Sequence, residues 1–205
     1  EVEMPILGYG VFQVTDLAEC ERSVIDAIET GYRLIDTASM YGNEEQVGIA
    51  VKNSEVPREE IFITTKVNNT QQGYDATLRA FDDSLRKLDA GYIDLYLLHW
   101  PIKGKRKDTW KAMERLYDEK KVRAIGVANY LLPFLHELET YGNITPAVNQ
   151  VEFSPWLYLK DLLQFCQEKN IVMQAYTPLT RGKKFNDPRL LSIAQKHDKS
   201  PAQIV

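Results

Sequence analysis

The stretch RLIDTASMYGNEEQVG, residues 33–48, combines a short apolar run, a polar loop and an amphipathic pattern. The apolar run ends at Asp36, the loop carries Tyr41, and NEEQVG begins a pattern with helical spacing. This order predicts a strand, a loop and a helix in succession. Asn43 and Gln46 have the spacing of a capping box, which predicts that the helix begins beside them.

The same order recurs along the chain. Short apolar runs predict strands at residues 5–8, 33–36, 61–66, 93–98, 123–127, 147–151 and 171–175. Amphipathic patterns predict helices at residues 17–30, 44–52, 74–88, 108–120, 133–141, 159–169 and 189–197. Because strands and helices alternate without a Pro/Gly-rich linker, the sequence predicts parallel strands connected by helical crossovers.

Two architectures fit this alternation, a doubly wound open sheet and a (β/α)8 barrel. The segment GYGVFQVTD after the first strand lacks the third glycine of a dinucleotide-binding fingerprint, and the repeats outnumber those of a usual open sheet. We therefore predict an α/β fold in which residues 1–205 form a single (β/α)8 TIM barrel without its eighth strand and C-terminal loop. The chain opens with Glu1 and ends as Ser200 and Pro201 begin a helix, so we expect the natural protein to extend beyond both ends.

The composition argues against two classes of partner. The net charge is −4 with both signs interspersed, so no basic face is expected to bind nucleic acid or a membrane surface. No apolar run approaches the roughly 20 residues of a membrane span. Cys20 and Cys166 lie in helical patterns, which predicts two buried free thiols in a cytoplasmic protein.

Polar side chains follow the predicted strands at their carboxyl ends, where TIM barrels carry their chemistry. Each has a structural alternative when it is taken alone: a turn cap, a solvated strand end, a helix staple or packing at the rim. Together they would face one mouth. The set is Asp36, Tyr41, Lys66, His99, Asn129, Gln150 and Tyr176.

Four of these residues suit the protonation of a carbonyl oxygen. A phenol such as Tyr41 has a pKa near 10, and a nearby Lys66 ammonium is expected to lower that pKa. Asp36 supplies the counter-charge of the lysine, and His99 can donate a hydrogen bond to a substrate oxygen. No serine or cysteine nucleophile has a partnered base, and the histidines lack metal-ligand spacing, so no metal is expected.

The motifs that contain these residues resemble those of the aldo-keto reductases, in the same order and over nearly the whole chain. They are DTASMYGNEEQVG, IFITTKV, IDLYLLHWP, VRAIGVANY, VNQVEFSPWL and AYTPL. The segment RKDTWKAMERLYDEKKVRAIGV is most similar to the prokaryotic and protozoan branch. That branch contains 2,5-diketo-D-gluconate reductases, glyoxal reductases and prostaglandin F synthase-like enzymes.

The resemblance implies an enzyme that reduces a small aldehyde or ketone with NADPH and acts as a monomer. Tyr41 would be the general acid, Lys66 and Asp36 would tune it, and His99 would orient the carbonyl. Phe12 and Trp100 would shape the substrate pocket together with Tyr41 and His99. Asn129 and Gln150 would hold the nicotinamide carboxamide and Tyr176 would stack on its ring, while further cofactor contacts would come from Gly10, Val11, Phe12, Asp36, Thr177 and Leu179.

Two departures from the family pattern bear on the cofactor. Ala128 stands where the family usually has a serine that bonds to the carboxamide. In the family, the residues that bind the 2′-phosphate of NADPH lie after strand eight, which this sequence does not contain. The expected preference for NADPH over NADH therefore rests on the resemblance alone. Two other functions stay open: a non-catalytic cofactor-binding sensor or structural subunit, and a lyase that uses Lys66 as a Schiff base. The lyase leaves Tyr41 and Asp36 unexplained.

Overall fold

The computed structural model describes residues 2–205, in which strands and helices alternate as the sequence predicts. The strands are β1 (Gly8–Gly10), β2 (Leu34–Asp36), β3 (Phe62–Val67), β4 (Ile93–Leu98), β5 (Val122–Ala128), β6 (Val148–Glu152) and β7 (Val172–Tyr176). The predicted bounds of β2 to β7 are correct to within a residue at each end. The helices are α1 (Leu17–Glu29), α2 (Glu44–Asn53), α3 (Tyr74–Leu88), α4 (Arg106–Asp118), α5 (Leu132–Glu139), α6 (Lys160–Glu168), α7 (Pro188–His197) and α8 (Pro201–Ile204).

The first strand was predicted too early, at residues 5–8. The structure begins β1 at Gly8, because Gly8 pairs with Leu34 and Gly10 pairs with Asp36 in the parallel ladder with β2. Ile6 and Leu7 are exposed, and Pro5 has no N–H group to donate to a ladder. The apolar run before Gly8 therefore precedes the strand.

The strands form one parallel sheet in the order β1-β2-β3-β4-β5-β6-β7. Gln150 on β6 nevertheless reaches Asp36 on β2, since Gln150 Nε2 lies 2.7 Å from Asp36 Oδ2. Contact between strands so far apart in the order requires a strongly curled sheet. The fold is a (β/α)8-like barrel that lacks the eighth strand, and within residues 2–205 no strand joins β7 to β1.

Side chains alternate between the two faces of each strand, and this alternation creates two apolar clusters. Leu95 and Leu97 of β4 face the barrel interior with Leu34, Phe62, Ala128 and Val148. Tyr96 and Leu98 of β4 face the larger cluster between the sheet and the helices. Lys66 pairs in register with Leu97 and Thr65 with Tyr96, so the parity of β3 directs Lys66 inward and Thr65 toward the helices.

Local signals fix several helix ends. Asp16 accepts a hydrogen bond from the Glu19 N–H at the start of α1. Ser200 and Gln203 form a capping box at the start of α8, in agreement with the helix start predicted there. Cys20 and Cys166 are buried free thiols, as predicted. No helix in the part of the chain that the structure describes is long and apolar enough to cross a bilayer.

Candidate active site

Asp36 and Lys66 form an ion pair at the carboxyl ends of β2 and β3. Lys66 Nζ lies 2.5 Å from Asp36 Oδ1 and 2.9 Å from the Thr37 carbonyl oxygen. The Lys66 side chain is only 1% exposed. A buried ammonium is costly unless it is paired and hydrogen-bonded, and these two acceptors meet that requirement.

Tyr41 and His99 lie beside this pair. Tyr41 ends a 3-10 turn, Ser39–Tyr41, and Gly42 follows with φ of 73°, a left-handed conformation that favours glycine. The Tyr41 ring centroid is 5.8 Å from that of His99 and 5.2 Å from Lys66 Nζ. The structure therefore brings together the four residues that were predicted to be catalytic.

The pKa of Tyr41 differs from the expectation. Burial raises the pKa of Tyr41 above its ordinary value, and the negative charge of Asp36 raises it further. The sequence had predicted that Lys66 would lower this pKa. The shift is upward instead, because burial of the phenol and the nearby charge of Asp36 outweigh any attraction by the Lys66 ammonium.

His99 is an uncharged imidazole in this environment. Burial lowers the pKa of His99 to about 3, and the neighbouring Lys66 charge contributes in the same direction. The residue is 7% exposed, and its Nδ1 has no hydrogen-bond partner within residues 2–205. A neutral imidazole keeps one N–H group, which can donate a hydrogen bond to a substrate oxygen.

Asn129, Gln150 and Tyr176 belong to three neighbouring strands: Asn129 follows β5, Gln150 lies within β6 and Tyr176 ends β7. Tyr176 donates from its hydroxyl to Asn129 Oδ1 at 2.9 Å, and Asn129 Nδ2 donates to the His99 carbonyl oxygen at 3.0 Å. Gln150 Nε2 contacts both Asp36 Oδ2 at 2.7 Å and Gln174 Oε1 at 2.8 Å. These contacts connect the predicted cofactor residues to the acid–base residues.

The remaining predicted residues lie on the loops and strand ends around Tyr41 and after β7. Phe12 and Trp100 are half exposed, and the Phe12 ring centroid lies 5.0 Å from that of Tyr41. Gly10 ends β1 beside Asp36. Thr177 and Leu179 follow β7, and Leu179 is partly exposed.

Val11 is placed differently from the prediction. Its side chain is fully buried in the larger apolar cluster, so that side chain cannot border a cofactor. The Val11 backbone instead contacts the end of β2 and the loop before α2: its N–H donates to the Asp36 carbonyl oxygen, and its carbonyl oxygen accepts from Asn43 Nδ2.

The sequence interpretation misjudged Asn43 and missed Gln174. The predicted capping box is wrong, because Asn43 Oδ1 accepts from Thr37 Oγ1 at 2.7 Å and its amide nitrogen donates to Val11 and Val14 carbonyl oxygens. Asn43 therefore ties the Tyr41 loop to the loop after β1. Gln174 could have been found from strand parity, since it lies two residues before Tyr176 and so shares its face.

Comparison with known proteins agrees with this geometry. A family profile described as "Aldo/keto reductase family" matches residues 7–205. The chain belongs to the aldo/keto reductase family. Glyoxal reductase of Bacillus subtilis (strain 168) is 52% identical over 204 residues, which cover 100% of this chain and 74% of that protein.

Two further comparisons support the assignment. The 9,11-endoperoxide prostaglandin H2 reductase of Trypanosoma cruzi (strain CL Brener) is 51% identical over 207 residues, covering 100% of this chain and 73% of that protein. The crystal structure of a Gox0644 mutant in complex with NADPH matches with a TM-score of 0.92 and 39% identity, covering 98% of this chain and 73% of that one. The family predicted from the sequence motifs is confirmed, as is the branch.

Proposed function

We propose that this protein reduces aldehydes or ketones to alcohols with NADPH, and that Tyr41 is the general acid. The observation that supports this most directly is the closeness of the Tyr41 ring both to the His99 ring, at 5.8 Å, and to the Lys66 ammonium, at 5.2 Å. A protonated phenol and a neutral imidazole side by side can both donate hydrogen bonds to one carbonyl oxygen.

The residues around this group fit a nicotinamide cofactor. Asn129 and Gln150 place two carboxamide side chains on adjacent strands, after β5 and within β6, and Gln150 Oε1 accepts no hydrogen bond from residues 2–205. That oxygen is available to the N–H groups of a nicotinamide carboxamide. Tyr176 is partly exposed and offers an aromatic face. When bound, NADPH would supply the hydride that reduces the carbonyl carbon.

Tyr41 would transfer its phenolic proton to the substrate oxygen as negative charge develops there. The alkoxide that forms is far more basic than a phenolate, so the transfer is favourable even though the pKa of Tyr41 is raised. Lys66 would then stabilise the phenolate that remains. Asp36 would hold the lysine in place through its 2.5 Å contact.

The substrate would lie against Phe12 and Trp100. Phe12 contacts Tyr41, and Trp100 directly follows His99, so both aromatic rings border the position of the carbonyl. Their exposure of 56% and 43% leaves apolar surface available to a ligand. One relative is named for glyoxal and another for a prostaglandin endoperoxide, so we propose the carbonyl class and not one compound.

The test is the consumption of NADPH by the purified protein with glyoxal and a panel of aldehydes and ketones. The proposal predicts that NADPH absorbance falls when a carbonyl compound is added and stays constant without it. If the protein only binds the cofactor, titration of NADPH fluorescence would show binding, but no NADPH would be consumed with any carbonyl compound. That outcome would contradict the proposed activity.

A further inference from the structure

Glu44 is a buried acid that the proposed chemistry does not use. It is the first residue of α2 and is only 2% exposed. Its Oε1 accepts a hydrogen bond of 2.6 Å from Thr65 Oγ1 on β3. Its Oε2 is buried without a hydrogen-bond partner in residues 2–205. An acid in such a position costs folding free energy, which raises the question of its role.

Glu44 lies on the helix side of the sheet, outside the candidate active site. Its partner Thr65 is fully buried and pairs in register with Tyr96, whose ring packs against Phe81 of α3. Thr65 immediately precedes Lys66, so the two side chains point to opposite faces of β3. Glu44 therefore contacts the strand that carries Lys66 without approaching the Lys66 ammonium.

The segment that carries Tyr41 is fixed to β3 at both of its ends. At one end, Ser39 Oγ donates to the Lys66 carbonyl oxygen at 3.1 Å. At the other end, Glu44 accepts from the Thr65 hydroxyl. Tyr41 stands between these two anchors, and the anchors engage consecutive residues of the strand. The position of the Tyr41 phenol relative to Lys66 therefore depends on both contacts.

The groups around Glu44 act on its carboxyl mainly through burial and hydrogen bonding. Burial raises the pKa of Glu44, while the hydrogen bond from Thr65 and the charge of Lys87 oppose that shift, and Asp83 adds to it. The hydroxyls of Ser84 and Tyr96 are buried without partners in the described residues. An isosteric amide at position 44 could accept from Thr65 and also donate to one of these hydroxyls.

We infer that Glu44 is a positioning residue, which holds Tyr41 at its working distance from Lys66 by anchoring the start of α2 to Thr65. The inference rests on the proposed role of Tyr41 as general acid. Glu44 itself touches neither substrate nor cofactor. Its effect on the reaction passes entirely through the placement of the phenol.

The experiment removes the hydrogen bond between Thr65 and Glu44 by changing Thr65 on β3. Thr65→Val replaces the hydroxyl with a methyl group of similar shape, and Thr65→Ser is the matched variant that keeps the hydroxyl. We expect Thr65→Val to lower kcat by about 10-fold or more, since a misplacement of 1 Å can cost on the order of 100-fold. NADPH affinity should stay unchanged in Thr65→Val. The single variants Thr65→Ser and Glu44→Gln should each retain most of the wild-type kcat.

A double-mutant cycle separates positioning from general destabilisation. If Glu44 and Thr65 act through Tyr41, Thr65→Val should cause no further loss of kcat in the Tyr41→Phe background, because the phenol is already gone. An equal loss in both backgrounds, or no loss in either, would overturn the inference. Should Thr65→Val fail to fold, Thr65→Ala carries the same cycle.

The cycle also distinguishes this inference from the proposed function. Normal turnover by Tyr41→Phe alone would reject Tyr41 as the general acid and the positioning role with it. A strong loss in Tyr41→Phe together with wild-type kcat in Thr65→Val would reject the positioning role alone.

Discussion

Gln150 donates a hydrogen bond of 2.7 Å from Nε2 to Asp36 Oδ2, while Lys66 occupies the other carboxylate oxygen at 2.5 Å. Asp36 is thus held from two directions, by the strand beside it and by a strand from the other side of the curled sheet. The residue proposed to bind the carboxamide is therefore also a support of the acid–base group. Loss of Gln150 should affect both cofactor binding and the Lys66–Asp36 pair.

The first prediction concerns Gln150→Leu. The variant loses the amide oxygen proposed for the carboxamide, so NADPH binding should weaken by about 2- to 10-fold, the value of roughly one hydrogen bond. Gln174→Leu is the matched control, because Gln174 contacts Gln150 but is not proposed to touch the cofactor. Titration of NADPH fluorescence would measure both. Equal affinity of Gln150→Leu and wild type would remove Gln150 from the cofactor site.

The second prediction concerns the pH dependence of stability at His99. The pKa of His99 is about 3 in the fold against 6.5 for an ordinary histidine. Below pH 6.5 the unfolded chain therefore binds a proton that the native protein does not accept until the pH approaches 3. The native state should lose about 2 kcal/mol from this residue between pH 7 and pH 5.

Urea unfolding of wild type and His99→Gln at both pH values would measure this contribution. The free energy of unfolding of the wild type should fall by about 2 kcal/mol more than that of the variant over this interval. Parallel behaviour of the two proteins would show that His99 protonates normally in the fold, and that the imidazole is not held neutral.

The third prediction concerns the close contact between α2 and the end of α3. A Cβ atom added at Gly48 would overlap the Leu88 carbonyl oxygen and lie 2.7 Å from its carbonyl carbon. Although alanine normally stabilises a helix relative to glycine, Gly48→Ala should destabilise the protein by about 1–3 kcal/mol through this overlap. Gly10→Ala is the control for stability, because a Cβ there meets no atom within 4 Å. Equal stability of the two variants would mean that α2 can move away from α3 at little cost.

The regular part of the fold could be predicted from the sequence because its signals are local. The buried strands β3 and β4 consist of apolar and β-branched residues except for Lys66 and Asp94, and the segment between them has helical spacing. The residues at the strand tips followed from the same pattern. The start of β1 could not be predicted, because its register depends on pairing with Leu34 and not on the apolar run at residues 5–7.

Features that depend on tertiary contacts were beyond the sequence. Asn43 has the spacing of a helix cap, but its Oδ1 accepts from the Thr37 hydroxyl in place of a helix N–H group. The direction of the Tyr41 pKa shift depends on how deeply the phenol is buried and on the nearby charge of Asp36, and the spacing of residues does not reveal either effect. Glu44 on α2 and Gln174 on β7 are polar residues whose partners, Thr65 and Gln150, lie on other elements.

The most direct test of the proposed chemistry is Tyr41→Phe, which removes one hydroxyl and keeps the ring that packs against Phe12 and His99. With NADPH and a reactive aldehyde, kcat should fall by at least about 100-fold, the lower range for loss of a general acid. NADPH should still bind with an affinity near that of the wild type, since the hydroxyl is not proposed to hold the cofactor. Near-normal kcat in a folded, NADPH-binding Tyr41→Phe protein would contradict the assignment of Tyr41 as the proton donor.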